Sequence, residues 1–269
     1  MATVVGGLAG GSPAAADPTP ARAYGDLSAW RAELGEAPVT AVSSEHPTYA
    51  PWDSGCQQHN QYQALNGWAM THEQDADNPG ATEGGARAAP NSVLAQHGSF
   101  PNPVPDSRML PRAAWEAAIY HRMALIEPRL NRIGYDAETF EPTAGRTYYT
   151  SFVCLWSQTG QDEEPSAFDN TRTTPELTLY PSPANGASNV PTRFGANETP
   201  NPADEAGVPA DQLGWLLSVS HNGPWRDQAF ASAHSVSATL AADAAPAERV
   251  PVAISQCGPA GCFTAGDSP

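Results

Sequence analysis

Trp115-Glu-Ala-Ala-Ile-Tyr-His-Arg-Met-Ala-Leu-Ile-Glu-Pro-Arg-Leu-Asn-Arg-Ile-Gly134 carries the most informative pattern in the chain. Trp115, Ala118, Ile119, Arg122 and Leu125 recur at the spacing that lines one helical face. Pro111 suits a first-turn position and Pro128 stops a helix, so the spacing predicts a helix that closes before Ile133-Gly134. His121 then projects close to the buried stripe.

Five further segments flank it in a definite order. Leu27-Ser-Ala-Trp-Arg-Ala-Glu-Leu-Gly35 with Pro38-Val39-Thr40 reads as an opening helix and turn, and Cys56-Gln-Gln-His59-Asn-Gln-Tyr62 as a second helix. Thr71-His72-Glu73 and Pro79-Gly-Ala-Thr-Glu83-Gly84 come next, and Tyr148 to Trp156 reads as a closing strand. Taken with W-x5-H-R, Pro-x-Leu and Ile-Gly, this series resembles the CAP superfamily (cysteine-rich secretory, antigen 5 and pathogenesis-related 1 domains) in its bacterial form. The resemblance covers roughly residues 22–157. It implies an α+β fold, a CAP-type α-β-α sandwich, followed by a small β-sandwich-like domain.

The organisation expected is a signal-like N-terminus at 1–21, the CAP-like domain at 22–157, a linker at 158–174, a β-rich domain at 175–256 and a tail at 257–269. Met1 to Ala16 ends in Ala-x-Ala chemistry but lacks a positive n-region. Gln158 to Thr174 is polar and acidic, as linkers are. Beyond it, short β-like runs stand at Glu176–Tyr180, Gly214–Ser220, Ser235–Ala241 and Val250–Ser255.

Thirteen basic residues, all Arg, face 29 acidic ones, for a formal charge of −16. Such a surface disfavours nucleic acid and anionic membranes as partners. Two readings of the acidity stand: solubility at high salt, and, favoured over it, a GC-rich genome reflected in Arg for Lys and in abundant Ala, Gly and Pro. No apolar run is long enough to span a bilayer. Four cysteines suit an exported, disulfide-bearing protein, and their places in the proposed domains pair Cys56 with Cys154 and Cys257 with Cys262. A zinc site of four cysteines is disfavoured because neither pair has C-x2-C spacing.

The resemblance also implies a cleft lined by histidines and glutamates, onto which His72, Glu83 and His121 map residue by residue. The family's second Glu falls at Ala113, which breaks the tetrad. His72 and His121, with Glu83, form the candidate divalent-metal set, zinc being the natural ion for two imidazoles and a carboxylate. His59 is expected in the core or packed under the cleft, and His97, His221 and His234 receive no role. His72-Glu73 begins like H-E-x-x-H, but Ala76 stands where the second His is needed, and no G-x-S-x-G elbow or phosphate loop occurs.

The function implied is that of a secreted, extracellular, monomeric binder of a lipid- or sterol-like or cell-envelope ligand. Two alternatives stand beside it: a metal-dependent hydrolase using His72 and His121, and a structural envelope or adhesion protein that binds through its β-rich part.

Overall fold

Helix α1 (Pro20–Glu33) starts where the sequence provides an N-cap: the Thr19 hydroxyl accepts the Arg22 amide and Pro20 occupies the first turn. It buries Ala23, Leu27, Trp30 and Arg31, one stripe at helical spacing. The computed structural model describes residues 17–42, 52–143, 145–159, 165–172, 178–195, 198–221, 240–242, 245–250, 254–258 and 261–265, with backbone alone given from 221 onward.

A four-stranded mixed sheet, in the order β1-β3-β4-β2, forms the centre. Its strands are β1 (Thr40–Ala41), β2 (Ser92–Ser99), β3 (Arg132–Phe140) and β4 (Tyr149–Trp156). β1 runs parallel to β3, and β4 pairs antiparallel with β3 and β2. Helix α2 (Trp52–Leu65) covers one face. There the Trp52 and Trp156 rings stack with centroids 4.8 Å apart, and a disulfide joins Cys56 to Cys154. Gly134 lies under Trp52 so closely that a Cβ would meet the Trp52 backbone carbon at 2.5 Å. Side chains alternate along a strand, so Ile133, Tyr135, Val153 and Leu155 point to the other face, where all four are fully buried. Tyr135 donates its hydroxyl to the Met109 carbonyl, and α1 packs on β3 and on α4 (Pro111–Trp115). Helices therefore cover both faces of the sheet.

The opening stretch departs from the helix expected of it. α4 ends at Trp115, residue 118 is extended, and α5 (Ile119–Leu125) begins anew before Arg132 enters β3. In a continuous helix the Tyr120 amide would bond the Glu116 carbonyl. Here Tyr120 N donates to Glu198 Oε1 at 2.7 Å, while Arg122 Nη1 donates to the Glu116 carbonyl at 2.7 Å. Both ends of the missing bond are thus satisfied by side chains, one of them from far along the chain.

The stretch expected to be a linker returns to the sheet. Ala167 is buried and its carbonyl accepts the Asn131 and Arg132 amides at 2.8 and 3.0 Å. Beyond it, β5 (Leu179–Ser182) pairs antiparallel with β6 (Ser218–His221), and α6 (Pro202–Ala206) lies between them in sequence. β7 (Leu240–Ala242) with β8 (Ala245–Val250), and β9 (Ile254–Gly258) with β10 (Gly261–Ala265), form two more antiparallel pairs. Of the expected strands, those near 179 and 218 are present, shifted toward the C-terminus. Positions 235–239 and 251–253, like the signal-like residues 1–16, lie outside the described residues. Cys257 and Cys262 are register partners across β9 and β10; their side chains lie outside the described residues.

Candidate functional site

His59 organises the ground on which His72 and Glu83 stand. It is buried on α2, donates Nε2–H to the Thr71 carbonyl at 2.8 Å and accepts Gln74 Nε2 at Nδ1 at 3.0 Å. That pattern requires the neutral ring. Burial pushes its pKa down, the Thr71 carbonyl works against this, and neighbouring His72 pushes it further down. Gln74 also accepts the Thr82 amide at 3.1 Å, and the Tyr62 hydroxyl accepts the Asp75 amide at 2.9 Å. The segment between α2 and helix α3 (Glu83–Ala88) is thereby tied down. His72, exposed on it, bonds the Ala89 carbonyl through Nδ1 at 2.9 Å. Glu83 is exposed in the first turn of α3, one residue after the N-cap Thr82. Negative charge there complements the helix dipole, a sufficient account of Glu83 as a turn anchor. His72-Glu73 lies outside any helix, so the partial H-E-x-x-H pattern has no helical face to present a metal.

His121 stands in different surroundings. Its Nδ1 donates to Glu198 Oε1 at 2.8 Å, and the same oxygen accepts the His121 and Tyr120 amides at 3.1 and 2.7 Å. The Glu198 side chain is only 1% exposed. Arg122, fully buried beside it, bonds the Leu216 carbonyl at 2.7 Å and lies 5.9 Å from the centre of the Trp215 ring. Burial lowers its pKa to about 10, opposed by the Glu116 and Glu198 charges. The structure thus brings His72 and Glu83 to the α2–α3 region and commits His121 to Glu198. Among the described residues no group of three or more His, Cys, Asp or Glu side chains is placed to hold a metal. His97, left without a role by the sequence, is partly buried on β2, where burial and then Arg108 lower its pKa.

A buried guanidinium carries the turn that follows α5. Arg31 donates to the carbonyls of Ala37, Leu125, Glu127, Pro128 and Leu130 and pairs with Glu36 at 3.0 Å. Burial raises the Glu36 carboxyl to about 7 against the pull of Arg31 and the Ser220 hydroxyl. Asp136, facing α2, is raised by burial to about 7 as well, although Asn60 Nδ2 donates to it at 2.8 Å.

Among the described residues two cavities stand out, and neither is lined by His72, Glu83 or His121. The larger, about 690 Å³, is an open groove over β5 and β6 walled by Leu179, Pro181, Pro183, Ala184, Leu217 and Val219. Leu179, Leu217 and Val219 are 58%, 61% and 59% exposed there. The smaller, about 110 Å³, lies between α1, α4 and the chain around 182–191. Sequence reasoning missed Glu198, Arg31 and the groove. Trp30-Arg31 stood in the opening motif, but nothing local says that an Arg will be buried on carbonyls ninety residues away. No protein-family model, curated protein or solved structure matches this chain.

Proposed function

We propose that the chain is an exported, CAP-like binding protein that holds a lipid-like ligand in the groove over β5 and β6 and does not turn it over. The observation that carries this reading is the groove itself: about 690 Å³ and walled by aliphatic and proline side chains. That volume lies within the ordinary range for small-molecule sites, and three large apolar side chains left in water gain most from being covered. The CAP-like assignment is supported by the order of the sequence motifs and by helices on both faces of the sheet. Export is supported by the Cys56–Cys154 disulfide, since such bonds persist in oxidising compartments. A non-catalytic role agrees with the commitment of His121 to a buried carboxylate and with Ala113 in place of a second Glu. The groove thus takes over the ligand-holding role that the resemblance assigned to a cleft around His72, Glu83 and His121.

Native mass spectrometry of the protein recovered from the medium of an expressing bacterium tests this. Retained mass matching an acyl-chain lipid, released by organic extraction, is the expected result. Protein that carries none and takes up none from mixed lipid vesicles overturns the reading.

A further inference from the structure

Asn185-Gly186 forms the tip of a turn on the wall of the large groove. The Ala187 amide donates to the Ala184 carbonyl at 3.0 Å across the turn, and Gly186 has a φ of +79°. Both tip residues are exposed, and a Cβ added at Gly186 would meet nothing within 4 Å. Among the described residues neither the Asn185 side chain nor the Gly186 amide has a hydrogen-bond partner. A second Asn-Gly pair is built the opposite way. Asn66, half-buried just past the end of α2, donates Nδ2 to the Tyr62 and Pro79 carbonyls at 2.8 Å each. The Asn66 amide bonds the Tyr62 carbonyl and the Trp68 amide bonds the Gln63 carbonyl, both at 3.0 Å, so the backbone on either side of Gly67 is held. A third pair, Asn222-Gly223, lies outside the described residues.

We propose that Asn185 is a site of spontaneous deamidation, a modification that its surroundings permit and those of Asn66 prevent. Solvent base removes the Gly186 amide proton, and the nitrogen attacks the Asn185 Cγ. A new Cγ–N bond closes a succinimide ring, the Cγ–Nδ2 bond breaks, and the side-chain nitrogen takes up a proton and leaves as ammonia. Water then opens the ring at either carbonyl to give aspartate or isoaspartate, so water is the one co-reactant. Glycine after the asparagine favours this path, because no Cβ crowds the attack and the backbone can rotate into the ring. Asn66 must first release two hydrogen bonds made by the nitrogen that leaves, which slows its reaction about tenfold or more. Among the described residues that line the groove, Asn185 has the only polar side chain and none is charged. Its conversion therefore puts a negative charge on an uncharged wall, and the chemistry of the turn is independent of what the groove holds.

The test incubates the full chain in mildly alkaline buffer at body temperature and follows the peptides that contain Asn66 and Asn185 by mass spectrometry. An isoaspartyl methyltransferase marks the isoaspartate product. Conversion at Asn185 at least about tenfold faster than at Asn66 is expected in the folded protein. In guanidinium chloride with the disulfide reduced, the two should react at comparable rates, since glycine follows both. An Asn185 that keeps its amide, or converts no faster than Asn66, overturns the proposal. So does a preference that persists undiminished in denaturant, because it would belong to the local sequence and not to the fold.

Discussion

Glu198 shows how one side chain can decide the path of the backbone. Its carboxylate caps α5 through two amides and holds His121, and it does so with almost no solvent contact. Hydrogen bonds to a charged group are worth about 1.5–3 kcal/mol each, and an N-cap about 1. Glu198→Ala is therefore expected to lower stability by about 2–4 kcal/mol in chemical denaturation, and Glu198→Gln by less, because the amide oxygen can still accept. Asp136 makes the opposite kind of prediction. Its folded pKa of about 7 lies above the unfolded value of 3.8. Below pH 4 both states are protonated and it has no effect. Between about 4 and 7 the unfolded chain releases the proton and the folded chain does not, so stability falls as pH rises and then levels off. Glu36 adds to the same trend, from 4.5 to about 7. Asp136→Asn should accordingly raise the melting midpoint at pH 8 and leave it nearly unchanged at pH 4, and an equal effect at both would contradict the assignment.

At the level of elements, the sequence was legible where the information is local. The helix near Cys56 to Tyr62, the strand ending at Trp156 and the cysteine pair joining them are present as read. The helix expected from Trp115 as far as Pro128 is broken after Trp115, because the groups that replace its missing hydrogen bond are Glu198, far away, and Arg122, which the pattern assigns to a packing stripe. Ile133-Gly134, which the sequence places after the helix without assigning it an element, lies near the start of β3. Its glycine is required by the close approach of α2, since a Cβ would come within 2.3 Å of the Trp52 Cβ. Backbone cannot yield as a side chain can, so Gly134→Ala should cost about 2–3 kcal/mol, toward the upper end for overpacking, measurable as a drop in the denaturation midpoint. The candidate site was legible only in part. His72 and Glu83 share one region because they flank one connecting segment, whereas His121 belongs to another element held by a carboxylate no motif announced.

For the whole molecule, the segment from 178 to 221 reaches well into the first part of the chain. Arg122 bonds Leu216, Ser220 bonds Glu36 at 3.2 Å, and Glu198 sits in the break between α4 and α5. The fold therefore carries β5 and β6 as a held platform, which is what a preformed apolar groove requires. Saturable binding of a fluorescent fatty acid, compared across three proteins, decides between the groove and the histidines. Wild type and the His72→Ala, His121→Ala double variant should bind alike, and Leu217→Asp with Val219→Asp should weaken binding at least tenfold while remaining folded. Binding that survives the groove substitutions but vanishes in the double histidine variant would contradict the account and return function to the histidines.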